Sequence, residues 1–157
     1  MNKGDEVNKN FKSKFLTDAE KAKEKLDNIS PSLCLAKWKQ VSLHLPTGLN
    51  NSCYHPPLHK ISPTEIKDNP SALHNTPFKK TIRKQMLAGE KPTECEYCWR
   101  MEANGDLSDR HYRSGEPWAV KDFDAIVNSS PYNDIIPSYM EVNFSNACNL
   151  KCSYCSP

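Results

Sequence analysis

Seven cysteines carry most of the chemistry legible in this sequence, and they fall into two groups. Cys148, Cys152 and Cys155 stand at C-x3-C-x2-C within the stretch A-C-N-L-K-C-S-Y-C-S-P, Ala147 to Pro157. Thiolates are soft, anionic ligands, and three from one short loop can converge on one metal centre. On a four-iron cluster, three thiolates leave one iron without a protein ligand, and an open position on a redox-active metal is where chemistry happens. Cys34, Cys53, Cys95 and Cys98 lie upstream, the last two as C-x2-C. An odd total does not suit a pure disulfide framework, whereas four plus three is the count for one closed and one open cluster. Zinc is the other reading of the upstream four, since spacing alone does not separate it from iron–sulfur. A zinc knuckle at the loop would lack its fourth ligand.

The loop follows a strand-like run, Tyr139 to Phe144, and has an aromatic residue, Tyr154, one place before its last cysteine. With these features it resembles the cluster loop of the radical S-adenosylmethionine enzymes. The resemblance implies that Cys148, Cys152 and Cys155 hold a [4Fe–4S] cluster and that Tyr154 packs near the adenine of the cofactor. The open iron would chelate S-adenosylmethionine, whose reductive cleavage gives a 5′-deoxyadenosyl radical that abstracts hydrogen from substrate.

The upstream spacing, C-x13-G-x4-C from Cys34 through Gly48 to Cys53 and then Cys95-Glu96-Tyr97-Cys98, is similar to the auxiliary-cluster domains called SPASM and, in shortened form, twitch. No cysteine lies between Cys98 and Cys148, so the further cysteines of a full SPASM domain are absent and the twitch form fits better. From Leu33 onward, about four fifths of the chain resembles the start of twitch-domain-containing radical S-adenosylmethionine proteins. This implies a second [4Fe–4S] cluster on Cys34, Cys53, Cys95 and Cys98, serving electron relay or order in the substrate region. It also implies an oxidoreductase-type enzyme served by an electron donor such as flavodoxin or ferredoxin, acting on a peptide or small molecule. In that family the auxiliary domain usually follows the barrel; here its cysteines come first. The chain stops two residues after Cys155, so the reading expects a fragment, inactive alone, that ends in the first strand of a truncated α/β barrel. The alternative function is a non-catalytic, zinc-stabilised binding module.

The whole sequence bounds these readings. Its 157 residues suffice for one modest domain, and at 37% apolar with 12 prolines it is polar, with mean hydropathy −0.75. A formal charge of +2 gives no global field for nucleic acid or membranes. No apolar run reaches membrane-spanning length and the N-terminus has no signal-peptide core, so the expectation is cytoplasmic, where thiols stay reduced.

The elements that must position the cysteines read as a small, irregular α+β fold: an N-terminal helix, a β-hairpin and short helices around a cysteine site. Residues 1–30 read as a mobile tail to about residue 15 and then a mainly solvated helix, opened by Thr17-Asp18-Ala19-Glu20 and ending near Asp27. Residues 31–105 form the auxiliary-cluster region, 106–137 a connector and 138–157 the start of the radical enzyme domain. Alternation predicts a strand from Gln40 to Leu45 with Val41, Leu43 and Leu45 on its buried face. Pro46-Thr47-Gly48 turns into a return strand, Asn50 to Tyr54, that carries Cys53. Ser62-Pro63-Thr64-Glu65 starts a short helix, and Thr76-Pro77 a firmer one to about Leu87, stopped by Gly89. On it Lys79, Lys80, Arg83 and Lys84 read as a solvated face rather than a phosphate-binding patch. A helix from Glu94 to Asn104 places Cys95 and Cys98 at i, i+3. His55 and His59 read as polar neighbours of the site and Trp99 as its shield from water. The polar stretch from Leu107 to Trp118 carries no assignable site, Val120 to Val127 reads as a short helix, and 128–137 as a linker.

Overall fold

The computed structural model describes residues 3–145 and 147, with side chains from residue 14 onward. Helix α1, Lys3–Asp27, runs unbroken through the stretch read as a tail and through Thr17, which therefore starts no helix. It is mainly solvated, as expected, with one narrow buried stripe. Ala19, Ala22 and Leu26 recur at three- and four-residue spacing and are buried, the stripe an amphipathic helix turns to a core. That stripe meets α6, Asp109–Gly115. Gly115 makes the approach close enough that a Cβ there would stand 2.8 Å from the Asp18 carbonyl oxygen.

A one-turn helix α2, Ala36–Lys39, leads into strand β1, Gln40–His44. Gly48, at φ +67°, completes the turn into β2, Leu49–Asn51, where its lack of a Cβ makes the left-handed backbone cheap. The alternation in β1 holds for Val41 and Leu43, which pack with Ile61, but Leu45 lies beyond the strand and is half exposed. Ser42, on the other face, is buried as well. The return strand is shorter than the sequence suggests, so Cys53 sits in the loop beyond it. Strand β3, His59–Lys60, pairs antiparallel with β2.

Helices α3, Pro63–Asp68, and α4, Pro77–Leu87, begin on prolines, whose missing N–H costs nothing at a first turn. The Thr76 side chain caps α4 by accepting from the Lys79 amide at 3.2 Å, and Gly89 ends it at φ +81°. Helices α5, Glu96–Ala103, α6, α7, Pro117–Val120, and α8, Phe123–Val127, follow. Strand β4, Tyr139–Asn143, then lies parallel to β1 at the edge of a mixed four-stranded sheet of order β3-β2-β1-β4. The strand expected to open a barrel thus shares one sheet with the upstream hairpin, and the boundary expected at residue 137 does not separate two sheets. The main core, Leu26, Leu33, Leu35, Trp38, Met86, Ala119 and Ile126, lies between the helices.

Candidate metal centre

Three parts of the chain bring the upstream cysteines together. Cys34 stands in the turn between α1 and α2, where its carbonyl accepts from the Lys37 amide at 3.1 Å. Cys53 follows β2 by two residues. Cys95 ends a short 3-10 turn, Thr93–Cys95, and Cys98 lies on the first turn of α5. All four are free thiols lining one small cavity of ≈ 20 Å³, room for about one water. Met86 and Trp99 complete its apolar wall, and Lys37, Asp109, Arg110 and Arg113 its polar one. Trp99 is held in place by donating its indole N–H to the Pro92 carbonyl at 2.8 Å. Among the described residues, no three His, Cys, Asp or Glu side chains stand as a ready ligand set for a single metal ion.

Burial pushes the thiols up, Cys34 and Cys98 to about 11 and Cys95 to about 12, with Cys53 raised as well. Each sulfur also meets groups that oppose this by favouring thiolate. Backbone amides favour the thiolate at three of them: Ala36 at Cys34, His55 at Cys53 and Arg110 at Cys98. The Lys37 ammonium acts on Cys34, Cys53 and Cys95. Burial works against that ammonium, but Cys95, Glu94 and Cys53 outweigh it and hold Lys37 charged above the usual lysine range. Its direct partner is the Glu94 carboxylate.

Arg110, which lines the cavity and is 2% exposed, donates to Glu102 Oε1 and Oε2 and to Asp27 Oδ1, all at 2.9 Å, and to the Leu33 carbonyl at 3.0 Å. Along α4, Lys79 and Arg83 are 3% and 0% exposed. This corrects the reading of a solvated face for these two; Lys84 is exposed as expected and Lys80 is half-buried. Arg83 Nε donates to the Lys37 carbonyl at 2.9 Å and its Nη1 to Asn75 Oδ1 at 2.8 Å. Among the described residues the Lys79 ammonium reaches only the Asn51 carbonyl, at 3.5 Å. Burial first, then Arg83 and Lys37, pulls the Lys79 ammonium down to about 7.

His55 stacks on Tyr97 with centroids 3.8 Å apart and bonds Asp109 Oδ2 at 2.7 Å, beside the cavity mouth. His59 instead bonds Thr76 Oγ1 at 3.3 Å. Sequence reasoning missed Arg110 and His111, both buried on α6. Ser108 before that helix, with Glu102 one helix earlier, was the available signal: the Ser108 hydroxyl donates to Glu102 Oε1 at 2.6 Å, and its amide to His111 Nδ1 at 3.0 Å. Cys148, Cys152, Cys155 and Tyr154 lie outside the described residues. Strand β4 ends at Asn143, five residues before Cys148.

Comparison of the chain with family models, curated proteins and solved structures gives no match. No helix among the described residues is long and apolar enough to cross a membrane.

Proposed function

We propose that this chain serves a radical S-adenosylmethionine enzyme and carries two [4Fe–4S] clusters, an open one on Cys148, Cys152 and Cys155 and a closed auxiliary one on Cys34, Cys53, Cys95 and Cys98. One observation carries the reading: four cysteines from three separate segments line one buried cavity, with backbone amides favouring the thiolate at three of them. Amide-to-sulfur bonds and burial are the means by which a protein holds such a cluster and sets its potential.

The open cluster supplies, when loaded, the electron that cleaves S-adenosylmethionine to the 5′-deoxyadenosyl radical. This chain's own residues do the rest of what is proposed here. Lys37 and Arg110 oppose the negative charge of four thiolates, Trp99 keeps water from the sulfurs, and Tyr154 packs on the adenine. An auxiliary cluster held by Cys34, Cys53, Cys95 and Cys98 would supply electron relay or order in the substrate region, with an electron donor such as flavodoxin or ferredoxin and a peptide or small-molecule substrate in the cytoplasm.

Anaerobic reconstitution with iron and sulfide tests this. The protein should bind iron and acid-labile sulfide amounting to about two four-iron clusters per chain, by the three-plus-four count of thiolates. Iron without labile sulfide would defeat the cluster reading, and a colourless protein with zinc alone would establish the zinc-stabilised module instead.

A further inference from the structure

Of the four cysteines around the cavity, one is held differently from the rest. The Cys34 carbonyl accepts from the Lys37 amide at 3.1 Å, the Cys95 amide donates to the Pro92 carbonyl at 3.1 Å, and Cys98 lies within α5. All three are buried, whereas Cys53 is only half-buried. Its segment, residues 52–58 between β2 and β3, makes no backbone–backbone hydrogen bond among the described residues. Backbone pairing is what ordinarily fixes the course of a chain, so side chains must place this stretch.

The segment hangs on the two residues after Cys53. Tyr54 donates its hydroxyl to Glu141 on β4, a tie to the sheet. His55 makes the tie to the cavity. Its ring stacks on Tyr97, with centroids 3.8 Å apart and planes 13° from parallel, and its Nε2 bonds Asp109 Oδ2 at 2.7 Å. Tyr97 stands on α5 one residue before Cys98, and Asp109 opens α6 and lines the cavity. One side chain thus clasps the Cys53 segment to both α5 and α6.

We infer that His55 is the positioning residue of Cys53, clasping it through Tyr97 and Asp109, and that Cys53 is the one cysteine of the four able to leave the cavity while the helices stay closed. Moving Cys53 out breaks side-chain contacts alone. Moving Cys34, Cys95 or Cys98 breaks backbone bonds of a turn, a 3-10 turn or a helix. Local opening is easiest where the fewest contacts hold a segment. The consequence rests on the cluster reading: Cys53 is then the exchangeable ligand of the closed auxiliary cluster. The clasp itself needs no metal. A chain that takes up no iron leaves it standing, and a failed clasp leaves the iron count untouched.

Metal-free, reduced protein is exposed to iodoacetamide, and alkylation of each of the four cysteines is followed by tandem mass spectrometry. Cys53 should react first, because the reagent needs an accessible thiolate. His55→Ala should speed Cys53 by about tenfold, the combined worth of the stack and the hydrogen bond, with Cys34, Cys95 and Cys98 unchanged. His55→Phe keeps a stacking ring and loses the bond, so the rise should be smaller, roughly threefold. A Cys53 that is not the first to react, a folded His55→Ala or His55→Phe in which Cys53 is no faster, or a rise shared equally by all four cysteines would each overturn the inference.

Discussion

Arg110 lines the cysteine cavity, Lys79 and Arg83 lie along α4, and each is almost wholly buried. Arg110 carries its own counter-charges, Glu102 and Asp27. Lys79 and Arg83 are served by carbonyls and an amide, with no acidic group in an ion pair to either among the described residues. A buried cation without an anion is expensive. Arg110 therefore keeps its charge beside its own anions, whereas Lys79, lacking one, is pulled down to about 7 chiefly by burial. The difference teaches that a cation can be buried here either by pairing it or by weakening its hold on its proton.

The largest expected effect falls on the cavity itself. Cys34→Ser with Cys95→Ser should halve the iron and sulfide taken up in anaerobic reconstitution, by the ligand count. Full loading of that variant would separate these cysteines from any metal.

Arg110→Met should cost about 3–5 kcal/mol, because it strands the Glu102 carboxylate beside a buried wall. Urea unfolding measures it, and Arg110→Met with Glu102→Gln should recover part of the loss. A neutral single variant would show that Arg110 is not held by its charges.

Lys79→Met probes the second case through pH. The groups facing Lys79 are Arg83, Lys37 and Glu94, with His59 and His74 within their field and neutral, lowered to about 4 and about 3 chiefly by burial. Folding depresses Lys79 from 10.5 to about 7. Between those values the unfolded chain holds a proton that the folded one lacks, so this group makes stability rise with pH across that window. Below pH 7 both states are protonated and its penalty stays constant. Removing the amine should therefore stabilise the protein by roughly 3–5 kcal/mol more near pH 7 than near pH 10.5. A pH-independent difference between the two proteins would mean that Lys79 carries its charge in comfort.

Gly115→Ala should have the smallest effect, about 1–3 kcal/mol, since the added carbon meets backbone of α1 at Asp18 rather than a yielding side chain. Thermal unfolding checks it; no change would mean that α1 moves away freely.

What the sequence makes legible and what it hides follow the same division. The hairpin around Gly48, the start of α4 at Thr76-Pro77 and its stop at Gly89, and the strand at Tyr139 are written in local signals: alternation, caps and turn residues. Lys79 and Arg83 are hidden because i, i+4 charge on a helix reads as solvated. Their burial depends on the Lys37 carbonyl, Asn75 and Asn51, which no local pattern announces. α6 is hidden likewise, since Arg110 and His111 are polar in sequence and are buried only against Glu102, Asp27 and Leu33. The opening helix misleads in the reverse direction: alternating charge over residues 20–25 masks the stripe of Ala19, Ala22 and Leu26. The four cysteines were legible as a set from spacing alone, but their meeting in one cavity depends on α2, the β2 loop and α5 packing together.

The account's central claim is that Cys34, Cys53, Cys95 and Cys98 share one thiolate-ligated cluster. X-ray absorption at the iron edge tests it most directly, on oxygen-free protein in which Cys148, Cys152 and Cys155 are replaced by Ala. Sulfur ligation together with strong short-range iron–iron scattering, at about four irons per chain, is the predicted result. Iron–sulfur scattering with no iron–iron shell, or no bound iron, would contradict it.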